Sequence, residues 1–136
     1  MTTGTLSLVA TPIGNLEDMT HRAVRVLSEA DYILCEDTRV TGKLRERYHI
    51  TTALKRYDAH ASEATILGIL DDLAADKHIA MVSDAGTPGV SDPGVQLVQR
   101  ARAANVHVEV VPGPSAVTAA VSLAGFAGNQ FSFLGF

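Results

Sequence analysis

Ile79-Ala80-Met81-Val82-Ser83-Asp84-Ala85-Gly86-Thr87-Pro88-Gly89-Val90-Ser91-Asp92-Pro93-Gly94 reads as a strand, a loop and the start of a helix. Ile79 to Val82 is apolar throughout, as expected of a central strand buried on both faces of a parallel sheet. The loop then gathers Gly86, Gly89 and Gly94 with Pro88, Pro93, Thr87 and Ser91. Glycine lets the backbone come close to a ligand, and proline holds the turn. Asp92 followed by Pro93 predicts a helix start, an N-cap carboxylate ahead of a residue pre-set for the first helical position.

Two more loops of this kind end apolar runs: Ala10-Thr11-Pro12-Ile13-Gly14-Asn15 and Val111-Pro112-Gly113-Pro114-Ser115-Ala116. Three such turns suggest one shared crevice, because ligands of open parallel α/β sheets sit outside the carboxyl ends of the strands. Backbone groups dominate these loops and paired cations are absent from them, which suits a neutral or zwitterionic ligand better than a polyphosphate.

Outward from the loops, strands are expected at Leu6 to Ala10, Tyr32 to Cys35, Ile79 to Val82 and Val106 to Val111, with a weaker one at Ala53 to Tyr57. Helix-period segments fall between them at Met19 to Ala30, Thr41 to Tyr48, Ser62 to Ala75 and Pro93 to Ala104. Ile66, Ile69, Leu70 and Leu73 follow the i, i+3, i+4, i+7 spacing of an apolar stripe that covers a sheet. Val106-His107-Val108-Glu109-Val110 alternates and belongs at an edge, and Asn105 is a C-terminal stop for the helix before it. Ser115 can cap a small-residue helix from Ala116 to Ala124 closed by Gly125, and Phe131-Ser132-Phe133-Leu134 begins another extended run. The sum is an α/β fold, an open, mainly parallel five-stranded sheet flanked by helices. Every apolar stripe is expected to be accounted for by burial against that sheet.

The 136 residues fit about one domain, with 46% hydrophobic residues for its core. Eleven Lys and Arg against fifteen Asp and Glu leave no basic excess of the kind that marks an autonomous nucleic-acid binder, so any RNA contact is local. The single cysteine, Cys35, lies in an apolar run and reads as a buried thiol in a reducing cytoplasm. Prolines and glycines break the longest uncharged stretch, so no membrane span is expected. The five histidines lack ligand spacing and Cys35 has no cysteine partner, so no metal site is expected. The phosphate-loop and G-x-G-x-x-G patterns are absent, as is the G-x-S-x-G elbow. Glu36 and Asp37 read as strand-end residues that cap a helix or pair with Arg39.

At Val9-Ala10-Thr11-Pro12-Ile13-Gly14-Asn15-Leu16, Cys35-Glu36-Asp37-Thr38-Arg39 and Val82-Ser83-Asp84-Ala85-Gly86-Thr87-Pro88 the chain resembles the tetrapyrrole-methylase superfamily, and within it the ribosomal RNA small subunit methyltransferase I family. The resemblance runs from Leu6 to Phe136. It implies a non-Rossmann N-terminal domain over 1–128 that binds S-adenosyl-L-methionine, with 129–136 a linker into a second domain. It further implies a cytoplasmic homodimer that methylates the ribose 2′-oxygen of a cytidine in the 16S rRNA of the small ribosomal subunit. Carried over residue by residue, Pro12, Asp84, Ala85, Gly86, Thr87, Pro88, Ser115 and Ala116 contact the cofactor. Asp37 or His60 takes the hydroxyl proton, and Arg39 positions phosphate. Two other readings stand beside it: a sister methylase with another acceptor, and a non-catalytic cofactor-binding or dimerisation module.

Overall fold

The apolar runs pair side by side into one sheet. The computed structural model describes residues 4–91 and 93–135, so the cap expected from Asp92 lies outside the described residues. The strands are β1 (Thr5–Val9), β2 (Tyr32–Cys35), β3 (Leu54–Arg56), β4 (His78–Met81) and β5 (His107–Val111). Every pairing is parallel and the order is β3-β2-β4-β1-β5. β4, with its apolar run from Ile79, lies at the centre and the alternating β5 at an edge, as their patterns require. This order puts β4 between β1 and β2, unlike the dinucleotide-binding order 3-2-1-4-5.

Among the described residues, five helices cross between or follow the strands: α1 (His21–Glu29), α2 (Thr38–Arg47), α3 (Glu63–Ala74), α4 (Gly94–Ala103) and α5 (Ala116–Ala124). On one face of the sheet, Ile66, Ile69 and Leu73 of α3 and Leu97 and Ala101 of α4 pack on Leu6, Leu34, Ile79 and Met81. On the other, Ala23, Val26 and Leu27 of α1 pack on Val9, Ile33, Cys35, Ala80 and Val82. Cys35 is buried, and burial pushes its thiol up. The chain leaves β1 for α1 on one face and leaves β4 for α4 on the opposite face. Neighbouring strands whose connections diverge open a crevice at their carboxyl ends.

Side-chain caps set several boundaries. Thr20 accepts from the Ala23 N–H and Ser62 from the Thr65 N–H. Asp37 accepts from the Arg39 N–H, which starts α2 at Thr38, three residues before its apolar period becomes visible. His49, Asp76 and Asn105 take left-handed conformations just past the ends of α2, α3 and α4. Gly125 does the same as the C-cap of α5. Ser115 occupies the N-cap position of α5, yet its hydroxyl caps nothing.

A polar chain runs beneath α1. Ser7 is fully buried on β1, and its hydroxyl donates to Glu109 Oε1 at 2.7 Å. His78 Nε2 lies 2.8 Å from the same hydroxyl, so the ring must donate there. Arg22 closes the chain on Glu109 Oε2 at 3.5 Å. Three strands and α1 are thereby tied through groups that are all satisfied, which a buried hydroxyl requires.

Two expectations fail at the C-terminal end. Residues 126–135 form neither helix nor strand, so the run from Phe131 to Leu134 is not a strand of the sheet. α5 buries no residue at all, and Val121, Leu123 and Phe126 are exposed, Leu123 at 89%. Its apolar side chains are therefore not covered by the sheet. The reason is topological, since β5 is already the edge strand and no strand follows α5 among the described residues to fold it back.

A close approach between loops sets the first prediction. A Cβ built on Gly113 would stand 2.9 Å from Ala10 Cβ, with Thr20 Cγ2 at 3.7 Å. Gly113→Ala is expected to cost about 1–3 kcal/mol by overpacking, read as a lower urea midpoint at unchanged m-value. An unchanged midpoint would show that the two loops are not held in contact.

Candidate functional site

The three loops at the carboxyl ends of β1, β4 and β5 are fastened to one another. Thr11 and Gly86 exchange backbone hydrogen bonds in both directions, each at 3.0 Å, which joins the first loop to the second. Gly86 has φ +77, open to glycine without strain, and an added Cβ would press on Ile13 Cγ2 at 3.3 Å. Thr87 Oγ1 donates to the Pro114 carbonyl at 3.1 Å, which joins the second loop to the third. Ala10 N–H donates to the Val111 carbonyl at 3.2 Å, closing the circuit. The second loop also reaches β2: the Asp37 N–H donates to Asp84 Oδ1 at 3.3 Å.

Against this fastened base lies a cavity of about 210 Å³. Its walls are Glu36 at the end of β2, Ser83, Asp84, Ala85, Thr87, Val90 and Ser91 of the second loop, and Ser115, Ala116 and Val117 at the start of α5. Ser115 does not cap α5, so the first N–H groups of that helix, which starts at the cavity wall with Ala116 and Val117, receive no bond from its hydroxyl. Free N–H groups at a helix start attract a carboxylate. Glu36 and Asp84 on another wall attract a cation. A cavity with both features fits a zwitterion carrying an additional positive centre, and Ser91 and Ser115 line it as well, while the Ser83 hydroxyl is given to the Ala85 carbonyl.

Of the residues expected at the cofactor, Asp84, Ala85, Thr87, Ser115 and Ala116 line this cavity together. Pro12, Gly86 and Pro88 do not line it; all three are buried and build the turns behind it. Glu36, Ser83, Val90, Ser91 and Val117 are lining residues that the carry-over left out. Glu36 was legible as the strand-end neighbour of Asp37, and Val117 as the first turn of a helix whose start was already placed.

Asp37 and Arg39 belong to a second crevice, of about 390 Å³, that shares Glu36 and Asp84 with the first. Asp37 caps α2 and grips its own neighbour: Arg39 Nε and Nη2 meet its two oxygens at 3.1 and 2.9 Å. Those bonds from the Arg39 side chain, with the Arg39 N–H, hold the Asp37 carboxyl down to about 2. Arg56 at the end of the short β3 and Asp58 just beyond it form the facing wall, with Arg56 Nε on Asp58 Oδ2 at 2.9 Å. The sequence drew no attention to that pair. His60 is exposed, lines neither cavity, and is tied to the site through its N–H, which donates to Asp58 Oδ1 at 2.8 Å.

The family model described as Tetrapyrrole (Corrin/Porphyrin) Methylases matches residues 5–132. Among curated proteins, "Ribosomal RNA small subunit methyltransferase I" of Thermotoga maritima is 48% identical over 133 residues, covering 98% of this chain and 60% of the relative. The protein of the same name from Synechocystis sp. is 50% identical over 133 residues, covering 98% of this chain and 48% of the relative. The chain thus spans about half the length of the curated relatives it matches. Among solved structures, uroporphyrin-III-C-methyltransferase from Thermus thermophilus aligns with a TM-score of 0.68 at 26% identity, over 89% of this chain and 53% of that one. The chain belongs to the tetrapyrrole (corrin/porphyrin) methylases.

Proposed function

We propose that this chain is the cofactor-binding half of an S-adenosyl-L-methionine-dependent methyltransferase that modifies a cytidine ribose 2′-oxygen in 16S rRNA. The observation that carries the reading is the near-complete match, at 48–50% identity, to proteins named for methylating small-subunit ribosomal RNA. The match to a uroporphyrin methyltransferase is much weaker, at 26%, which favours the RNA acceptor over a tetrapyrrole. The cytoplasmic small ribosomal subunit is the partner on this reading. The uncovered face of α5, with Val121 and Leu123, is available to a second domain or to the second subunit of a homodimer.

When bound, S-adenosyl-L-methionine supplies a methyl group made electrophilic by the adjoining sulfonium. Asp84 and Glu36 counter the cationic charge, Ala116 and Val117 offer their N–H groups to the carboxylate, and Thr87 keeps the second and third loops in register. Pro12, Gly86 and Pro88 act from behind the wall, holding Ala85 and Thr87 in place. Methyl transfer needs acceptor, carbon and leaving group in line, and this fastened geometry removes the freedom that would spoil the alignment. Arg39, 87% exposed, keeps N–H groups beyond those given to Asp37 and meets an RNA phosphate at the lip. A carboxylate held down to about 2 is a weak base, so Asp37 holds Arg39 and the start of α2 and does not take the proton.

Radiolabelled S-adenosyl-L-methionine with unmethylated small subunits tests the reading in the full-length protein. Transfer to a cytidine 2′-oxygen is expected. Asp84→Ala should lower kcat/KM by about 10- to 100-fold, the worth of a lost charge-assisted contact. Transfer to a tetrapyrrole and none to RNA would overturn it.

The assignment of Asp37 has its own check. A depressed carboxylate adds stability that is present above its unfolded value of about 3.9 and is lost as pH falls through its folded value, here about 2. Carboxyl carbon shifts should therefore show Asp37 titrating near 2, and Arg39→Ala should return it to the ordinary carboxylate range. A normal value in the unsubstituted chain would restore Asp37 as the base.

A further inference from the structure

We propose that the crevice between the Asp37–Arg39 and Arg56–Asp58 pairs is the seat of the acceptor base, and that Asp58 selects an amino-bearing edge, cytosine N4, over the carbonyl of uracil. The inference rests on the methyltransferase reading and assigns the second cavity within it. The crevice adjoins the cofactor cavity, since Glu36 and Asp84 wall both. A base seated in the outer chamber therefore brings its ribose to the shared wall, next to the methyl donor. Its volume of about 390 Å³ is within the range of about 300–1,000 Å³ typical of small-ligand pockets.

Charge decides what the crevice reads. Among the residues that line it, Asp37, Asp58 and Asp84 stand with Arg39 and Arg56, three carboxylates to two guanidiniums. A phosphate is poorly served inside such a chamber, whereas a ligand with an amino group is well served. Lone-pair capacity then separates the two carboxylates. Asp37 Oδ1 already accepts from the Arg39 N–H and Nε, and Oδ2 accepts from Nη2. Asp58 accepts one bond on each oxygen, from the His60 N–H and from Arg56 Nε, leaving one acceptor site on each. An ionised carboxylate has no hydrogen to give, so it can pair with an exocyclic amine and only repels a carbonyl. The remaining guanidinium N–H groups of Arg56, 73% exposed, supply donors for the cytosine ring nitrogen and O2.

The test is an amide NMR titration of the isotope-labelled chain with cytidine and with uridine, each with and without S-adenosyl-L-methionine. Cytidine should perturb Arg39, Arg56, Asp58 and Asp84, and uridine should bind about ten-fold more weakly, the discrimination of one good base contact. Asp58→Asn keeps one oxygen as acceptor for the His60 N–H or for Arg56 and puts an amide donor in place of the other, and should shrink that preference to about two-fold or less. Equal affinities in the unsubstituted chain, a preference that survives Asp58→Asn, or inorganic phosphate alone perturbing the same amides as strongly as cytidine would each overturn the assignment. Cofactor shifts at 83–91 and 115–117 are read in the same samples. Their absence alongside intact cytidine selection would count against the methyltransferase reading and not against the base seat.

Discussion

The pair of backbone hydrogen bonds between Thr11 and Gly86 is the constraint on which the site depends. It stands where β1 and β4 lie side by side while their connections leave for opposite faces of the sheet. That divergence opens the crevice, and the bridge keeps it from opening further. Gly86 can make the bridge because its φ of +77 carries no Cβ penalty. Once it is made, Thr87 is aimed at the third loop and Asp84 at the start of α2. Four strand ends are then joined through hydrogen bonds.

Electrostatics divides the labour among these fastened parts. The start of α5 supplies N–H groups and Glu36 with Asp84 supplies negative charge, so the inner cavity is bipolar. The outer crevice holds guanidiniums already matched to carboxylates. Both ion pairs are exposed enough to contribute little to stability, and their value is in setting orientation. Structural stability comes from elsewhere, from the apolar layers on both faces and from the satisfied chain His78, Ser7, Glu109 and Arg22 under α1.

Local pattern exposed most of the fold. Ile79 to Val82 and the alternating run from Val106 have their places in the sheet written into their periodicity, and Gly125 its place at a helix end. Order across the sheet is non-local, and this is why Arg56 and Asp58 were overlooked: nothing near the three-residue β3 signals that it pairs with β2 and so faces Asp37. The residues of the inner cavity were half legible for a similar reason. A motif identifies the loop, but only packing decides that Asp84 and Thr87 turn outward while Pro12, Gly86 and Pro88 turn in. The open face of α5 was misjudged because an apolar stripe in a sequence does not say what it meets.

Titration calorimetry of S-adenosyl-L-methionine into this chain, with NADH as the control, tests the central claim most directly, that the fastened loops build a site for that cofactor. The account predicts heat of binding for S-adenosyl-L-methionine, none for NADH, and loss of binding in Asp84→Ala. Preference for NADH, or S-adenosyl-L-methionine binding that is indifferent to Asp84, would contradict it.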